Sequence, residues 1–284
     1  MSQGSQSRSL LTHGIPVRSR PRRGRRITVT LAYFVVPLIV IAAVWQLFAV
    51  ANPSPFFPPP LAIGENLWAL LFAAQGGFTP VFYEDFVATI WRMVLGFTLG
   101  VVWGVVIGTI MGLSRIARGI VNPIVEFLRS IPATATLPLF IMLLDGGDGM
   151  RVAFIAYGVS WFVVVNTASG VGSIHNTLLD LGRVFRVSRT RRLFMIILPA
   201  AMPKIFAGVR IASTAALLLA IVSEFMLATN GIGYLLIQAQ SRFRMLDMWS
   251  WMLALAILGL IINFLVDLVE SSTLSWHRLS RSRT

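Results

Sequence analysis

The chain has 284 residues, of which 56% are hydrophobic and only 12% are charged, and its formal net charge is +13. This composition is far more apolar than that of a soluble domain and predicts a protein of the lipid bilayer. The chain has no cysteine, which excludes disulfides and thiolate metal sites, and its three scattered histidines form no metal-binding cluster. The basic residues concentrate in the tails and loops, so membrane topology explains the charge better than nucleic-acid binding does.

The N-terminal segment, residues 1–26, combines arginines with serine, glycine and proline, and we predict a disordered cytoplasmic tail. The apolar run 27–51 is long enough to span and predicts a retained first helix rather than a cleaved signal peptide. Prolines between residues 53 and 60 end that helix and predict an extended outer segment.

Five apolar runs are near or above the roughly 20 residues that cross a bilayer. They cover residues 27–51, 86–113, 152–171, 205–228 and 249–269. The proline-containing segment 120–144 is needed as a sixth span, because the arginine-rich tail and the arginine-rich loop should share the cytoplasmic face. We therefore predict an all-α membrane protein with about six transmembrane helices and both termini cytoplasmic. Its transmembrane domain covers residues 27–270, including a cytoplasmic loop over residues 172–204, and a basic tail covers residues 271–284.

The cytoplasmic loop between the predicted fourth and fifth helices is dense in arginine. Its arginines are Arg183, Arg186, Arg189, Arg191 and Arg192. Apolar residues, Phe185 among them, recur between the arginines at spacings near three and four, which predicts short amphipathic helices. Such helices could dock into a groove on a partner protein. Alternatively, the loop is a positive-inside loop whose apolar residues pack on its own membrane helices.

The second predicted span carries a glycine at every fourth position. These glycines are Gly96, Gly100, Gly104, Gly108 and Gly112. A ladder of this kind lets a neighbouring backbone approach closely. Static packing within one subunit is the favoured interpretation, and a sliding or dimerising face is the alternative.

Two prolines, a glutamate and an asparagine are candidates for a translocation pathway. Pro132 and Pro138 would interrupt the helical ladder of the third segment, which is tolerable where the backbone lines a cavity, although a simple kink is the commoner meaning. Glu224 lies just before Asn230 near the end of the fifth span, where a gate could sit; a hydrogen-bonded structural carboxylate is the equal alternative.

Three further charged residues lie within the apolar runs. Arg210 could attract an anionic substrate, but snorkelling to the cytoplasmic interface is favoured. For Arg92 and Asp267, helix-end anchoring or pairing is favoured over solute recognition.

The run DLGRVFRVSRTRRLFMIILPAAMP resembles the EAA loop of ATP-binding-cassette importer permeases. That motif reads Glu-Ala-Ala, three residues, Gly, nine residues, Ile, one residue, Leu-Pro. Its positions fall on Asp180, Leu181, Gly182, Arg186, Ile196, Leu198 and Pro199. Arg186 replaces a glycine that permits a tight turn, and a positive φ is costly for other residues. We therefore expect either ordinary dihedrals in this turn or a coupling helix that starts differently.

Beyond the loop, PSPFFPPPLAIGENL, SIPATATLPLFIMLL and SEFMLATNGIGYLL resemble segments of the nitrate, sulfonate and taurine branch of these permeases. The resemblance implies a homodimer in the bacterial plasma membrane, two cytoplasmic subunits that bind ATP and magnesium, and an extracytoplasmic solute-binding protein. It also implies a small solute, and an anion is our best expectation.

The chain has no phosphate-binding loop, so it should hold no nucleotide cofactor itself, and no hydrolase motif is visible. From another class, a membrane scaffold or regulatory subunit could use the same loop to bind a partner. A secondary transporter is disfavoured because no internal repeat is evident.

Overall fold

The computed structural model describes residues 23–72 and 76–273, and its described part is almost entirely helical. In this part, eleven α-helices follow one another: α1 (Arg23–Ala51), α2 (Pro60–Leu71), α3 (Val87–Leu113), α4 (Arg115–Ser130), α5 (Leu137–Leu144), α6 (Asp148–Gly172), α7 (Asn176–Val184), α8 (Arg189–Arg192), α9 (Leu198–Glu224), α10 (Ile232–Ser241) and α11 (Met245–Thr273). A π-helical turn, Phe82–Phe86, leads into α3, and a second, Leu193–Ile197, joins α8 to α9.

The chain divides into two compact units, Met1–Asn52 and Pro53–Thr284. Helix α1 forms the described part of the first unit and begins at Arg23, so residues 23–26 are helical rather than part of a disordered tail. Helix α11 likewise reaches Thr273, beyond the predicted limit at residue 270. The remaining parts of the two predicted tails, residues 1–22 and 274–284, lie outside the described residues.

Four helical stretches among the described residues are long and apolar enough to cross a membrane. They are Phe82–Leu113, Asp148–Gly172, Arg189–Glu224 and Met245–Thr273. The pair Arg115–Ser130 and Ala133–Leu144 would make a fifth, although it is bent by 87°. The described apolar part of α1, Val36–Ala51, is shorter than a full span. The total of six spans stays a prediction.

Several element bounds differ from the predicted ones. Helix α6 begins at Asp148, four residues before the predicted start of its span. Helix α9 begins at Leu198, directly after the π-helical turn and with Pro199 in its first turn, and it ends at Glu224 rather than at residue 228. The expectation of an extended segment after α1 was wrong in part, because α2 begins within the proline run with Pro60 in its first turn.

The bent pair shows how the two prolines of the third segment differ. The helical ladder breaks at Ile131 and Pro132, where the backbone turns extended. Pro138 was predicted to interrupt the helical ladder, and this was wrong. It lies in the first turn of α5. There its missing N–H is one of the donors that no helix satisfies internally. The break therefore needs Pro132 alone.

Helices α3 and α6 run parallel along the glycine ladder. A Cβ atom added to Gly96, Gly104 or Gly112 would approach Ile155, Val163 or Val171 closer than 3.0 Å. Both number series rise together, so the two helices point the same way. Consequently the connection from Leu113 to Asp148, which consists of α4 and α5, must return the chain to the end where α3 began.

Helix α9 runs antiparallel to α6, since Gly158 lies against Leu219 whereas Gly170 lies against Ala201. Helix α11 is antiparallel to α9, because Gly259 lies near Leu217 and Arg210 bonds to Asp267. A central core of buried apolar side chains joins these helices. The bundle thus has two ends, named here the coupling-loop end, which carries α7 and α8, and the Glu224 end, which carries α2 and α10.

Candidate functional site

The coupling-loop end carries two short helices joined by a tight turn. Helix α7 ends at Val184, and the Val187 N–H donates back to the Gly182 carbonyl at 3.0 Å. This six-to-one bond defines a Schellman cap, in which the residue after the cap is left-handed. That residue is Arg186, with φ of 50°. Of the two alternatives expected for this turn, ordinary dihedrals are therefore wrong, since the turn keeps the conformation that favours glycine although an arginine occupies it.

Gly182 of α7 packs closely against the segment that contains α8 and the following π-helical turn. A Cβ atom there would lie 3.1 Å from Ile196 Cδ1 and 3.2 Å from Arg192 Cδ. The start of the motif and its closing Ile-x-Leu-Pro are therefore in contact, although 14 positions separate Gly182 from Ile196. Helix α8 begins after Ser188, whose side-chain oxygen accepts from the Arg191 N–H.

The π-helical turn before α9 follows from Pro199. A proline cannot donate to the carbonyl four residues earlier, and its ring would clash with that carbonyl. The wider turn instead lets the Leu198 N–H bond to the Leu193 carbonyl, five residues back. Leu198 and Pro199 thus set how the loop enters the long helix.

Large apolar side chains project from this loop. Val184 and Phe185 are each 75% exposed, and Phe194 and Met195 are 63% and 68% exposed. Asp180 is also exposed, as is Arg186. Exposed apolar anchors among arginines on a capped short helix are the pattern of a docking surface. The side chains of Leu181 and Arg183 lie outside the described residues.

At the opposite end, Glu224 is buried at the centre of a polar network. Its carboxylate accepts from the Thr89 hydroxyl at 2.9 Å, from Arg92 Nη1 at 3.0 Å and from the Gly233 N–H at 2.9 Å. The Ile232 N–H donates to Thr89 Oγ1 at 2.9 Å. Buried charge needs such partners, and these bonds fit the hydrogen-bonded structural carboxylate, one of the two alternatives given for Glu224.

Gly231 allows the chain to fold back over this carboxylate. Its φ of 118° is a backbone conformation that glycine adopts readily and other residues rarely adopt. A Cβ atom at this position would also collide with the Glu224 carboxylate. The Gly231 N–H donates to Asp85 Oδ1 at 2.8 Å. The first N–H groups of α10, which have no partner within their own helix, are likewise satisfied by side chains, Ile232 by Thr89 of α3 and Gly233 by Glu224 of α9.

Arg92 is the second buried charge of the network. Its Nη2 donates to Asn230 Oδ1 at 2.6 Å and lies 2.8 Å from Asp148 Oδ1. Helix-end anchoring or pairing was expected for Arg92, and the ion pairs with Glu224 and Asp148 confirm the pairing. The network joins Glu224 and Asn230, two of the candidate pathway residues.

Arg210 and Asp267 lie towards the other end, apart from that network. Arg210 Nη2 bonds to Asp267 Oδ1 and to Glu270 Oε2, at 2.6 Å each. The Arg210 and Asp267 side chains are more than half exposed. The pairing expected for Asp267 is confirmed, whereas snorkelling alone does not describe Arg210, because two carboxylates hold its guanidinium.

A cavity of about 350 Å³ lies near the coupling-loop end. Arg118 and Lys204 line it, and both donate to backbone carbonyls near helix C-termini, Arg118 to Met111 and Lys204 to Ser169. Cations are favourable at that position because the C-terminal end of a helix carries partial negative charge. The candidate prolines Pro132 and Pro138 do not line it.

Four members of the network at the Glu224 end were missed from the sequence: Asp85, Thr89, Asp148 and Arg151. Asp85 and Thr89 lie at the predicted start of the apolar span 86–113, and Asp148 and Arg151 lie between the predicted spans 120–144 and 152–171. The spacing of Asp148 and Arg151, three apart, was an available indication that both lie on one helix.

The described residues form a helical bundle in which two helices run parallel along a row of glycines. One end holds a buried ionic network, and the other carries a loop of two short helices. This arrangement defines a multi-span membrane transport subunit. The chain matches the family model described as binding-protein-dependent transport system inner membrane component over residues 100–271. It belongs to this family of permease subunits of ATP-binding-cassette importers, and it is a multi-pass protein of the bacterial plasma membrane.

The chain is similar to permease proteins over most of their length. The putative aliphatic sulfonates transport permease protein SsuC of Bacillus subtilis is 27% identical over 93% of this chain and 94% of its own. The taurine transport system permease protein TauC of Escherichia coli is 27% identical over 89% of this chain and 91% of its own. The nitrate import permease protein NrtB of Synechococcus elongatus is 25% identical, over 71% and 74%.

Among solved structures, the inward-facing MetNI methionine ABC transporter has a chain with the same fold. It superposes with a TM-score of 0.58 at 18% identity, over 66% of this chain and 94% of that one.

Proposed function

We propose that this chain forms the translocation pathway of an importer as a homodimer and couples solute uptake to ATP hydrolysis by two cytoplasmic partner subunits. An extracytoplasmic binding protein would deliver the solute. The magnesium and ATP would be held by the partner subunits, since this chain has no phosphate-binding loop. The family and the names of the relatives support this assignment.

The observation that carries the coupling role is the exposure of Val184 and Phe185 at the capped end of α7. An apolar pair beside arginines would fit a groove on an ATPase subunit, and movement of that groove would pass into the membrane. Transmission has a direct route, because Gly182 packs on Ile196 and the chain continues without a break in helical structure from Arg189 to Glu224.

The proposed solute is a small oxyanion such as a sulfonate or nitrate. Three named relatives act on solutes of this kind, and specificity in such systems depends largely on the delivering protein. The candidate residues Glu224, Asn230, Arg210, Pro132 and Pro138 remain proposals for the pathway. Glu224 and Asn230 lie near the end where a gate would lie.

Phe185→Ala tests the coupling role in the full complex of this chain, its ATPase and its binding protein, reconstituted in liposomes. We expect ATP-dependent uptake of a labelled sulfonate or nitrate by the wild type. Truncation of a docking anchor should weaken ATPase co-purification by roughly tenfold or more. The matched control is Phe264→Ala, because Phe264 of α11 is 67% exposed but lies in a membrane-spanning helix.

Equal loss of ATPase binding in both variants would contradict the docking role of the loop. Uptake confined to neutral solutes would contradict the anion assignment. A wild-type complex that retains no ATPase and takes up no solute would favour a scaffold role for the subunit.

A further inference from the structure

The segment between α9 and α10, residues 225–230, is held at two points by buried arginines and is named here the strap. Arg151 Nη2 donates to the Leu227 carbonyl at 3.0 Å. Arg92 donates to the Asn230 carbonyl at 3.3 Å and to its side-chain oxygen at 2.6 Å. The two arginines come from α6 and α3, so the strap is attached to both helices of the glycine-packed pair.

One carboxylate joins the two attachment points. Asp148 Oδ1 lies 2.8 Å from Arg92 Nη2 and 3.2 Å from Arg151 Nη1. Both arginine side chains are almost fully buried, whereas the Asp148 side chain is 48% exposed. Two buried guanidinium groups that share one oxygen repel each other, and the carboxylate offsets that repulsion. Asp148 is the most accessible member of this cluster.

The strap carries backbone strain and exposed apolar side chains. Leu227 has φ of 56°, an unfavourable conformation for a leucine that persists only where surrounding contacts hold it. Phe225, Met226 and Leu227 are 40%, 50% and 70% exposed. Consecutive apolar side chains are thus presented at the Glu224 end on a segment whose shape depends on Arg151 and Arg92.

We infer that Asp148 and Arg151 are positioning residues that hold the strap closed over the Glu224 end of the translocation pathway. This inference rests on the proposed function. Asp148 keeps the two guanidinium groups together, Arg151 fixes the strained Leu227 peptide, and the apolar side chains of the strap exclude water and solute. Opening this end requires that the hydrogen bonds between the arginines and the strap break.

The test uses the absence of native cysteine, so that Met226→Cys introduces the only thiol of the chain. The full complex is reconstituted in liposomes without ATP, and a membrane-impermeant maleimide is added on the side of the Glu224 end. In the Asp148→Asn background, we expect the introduced thiol to react roughly tenfold faster, because the two arginines that restrain the strap lose the carboxylate that holds them together. Passive leak of labelled solute should rise in parallel.

The matched control is Glu126→Gln. Glu126 pairs with Arg129 three residues on and is 49% exposed, as Asp148 pairs with Arg151 at 48%. This surface pair should leave the labelling rate and the leak unchanged. Arg151→Lys keeps the charge but cannot bridge Asp148 and the Leu227 carbonyl in the same way, so it should also speed labelling of the thiol. If Asp148→Asn fails to fold, the labelling rate of Arg151→Lys decides the outcome.

Equal labelling rates in Asp148→Asn, Arg151→Lys and Glu126→Gln would overturn the inference. Faster labelling without any increase in leak would overturn the closing role of the strap. Failure of the wild-type complex to take up any solute would reject the proposed function instead, and the labelling rates would still report separately on the attachment of the strap.

Discussion

At the scale of single residues, Arg186 shows that a substituted motif can keep its backbone geometry. The family pattern has a glycine at this position because the turn needs a left-handed residue, and here the arginine adopts φ of 50°. The cap bond from Val187 to Gly182 and the contact of Gly182 with Ile196 hold the turn. The protein therefore carries a local conformational cost of about 1 kcal/mol in its coupling loop.

Arg186→Gly should relieve that cost. We expect this variant to be at least as stable as the wild type and more stable than Arg186→Ala by about 1 kcal/mol, because alanine loses the charge but retains the Cβ atom in the left-handed region. Thermal unfolding of the purified chain in detergent measures the difference. Arg186→Ala is the control, and a glycine variant less stable than the alanine variant would contradict the assigned turn conformation.

At the scale of helices, the glycine ladder determines how closely α3 and α6 approach. Without a hydrophobic driving force in lipid, membrane helices gain stability from close packing, and small residues make it possible. Gly100 would meet the Ala156 carbonyl at 2.7 Å if it carried a Cβ, so backbone rather than a movable side chain limits the space. The ladder face is covered by α6 of the same chain.

Gly104→Ala should therefore destabilise the bundle. Its Cβ would lie 2.6 Å from Val163 Cβ, and overpacking of this kind typically costs about 1–3 kcal/mol. Gly119→Ala in α4 is the control, since no atom lies within 4 Å of its Cβ position. That change should stabilise by roughly 0.5–1 kcal/mol through helix propensity. Thermal unfolding of both variants measures the contrast, and similar unfolding temperatures would show that α3 and α6 are not packed along the glycines.

The long apolar helices were predictable because a span must satisfy every backbone group internally, and length with composition reports this directly. The short helices α2 and α10 were not, since they have 12 and 10 residues and lie in segments rich in proline or glycine. The coupling loop was found from its arginines. The partners of Glu224 were not, because Thr89 and Arg92 are 135 and 132 positions away and no periodicity reports such a contact.

At the scale of the whole molecule, the parallel arrangement of α3 and α6 constrains topology independently of charge. Arginine counting requires a crossing between these helices, but it was itself used to choose the number of spans. The packing of Gly96 on Ile155 and of Gly112 on Val171 instead fixes the direction of both helices through contact. The bent α4 and α5 must therefore carry the chain back across the bundle, despite the break at Pro132.

Single cysteines test this return crossing, because the native chain has none. We expect Gly119→Cys and Thr190→Cys, at the coupling-loop end, to react with an impermeant maleimide only from the cytoplasmic face. Gly147→Cys, at the start of α6, should react only from the opposite face. Gly119 and Gly147 are exposed and have no atom within 4 Å of a Cβ position, so neither change disturbs packing.

Labelling in inside-out and right-side-out vesicles measures from which face each cysteine reacts. Reaction of all three variants from one face would place both ends of α6 on the same side, and the parallel pair could then not span the membrane. If Gly147→Cys alone reacts from outside, the bent pair crosses, and the Glu224 network faces the compartment from which the solute arrives.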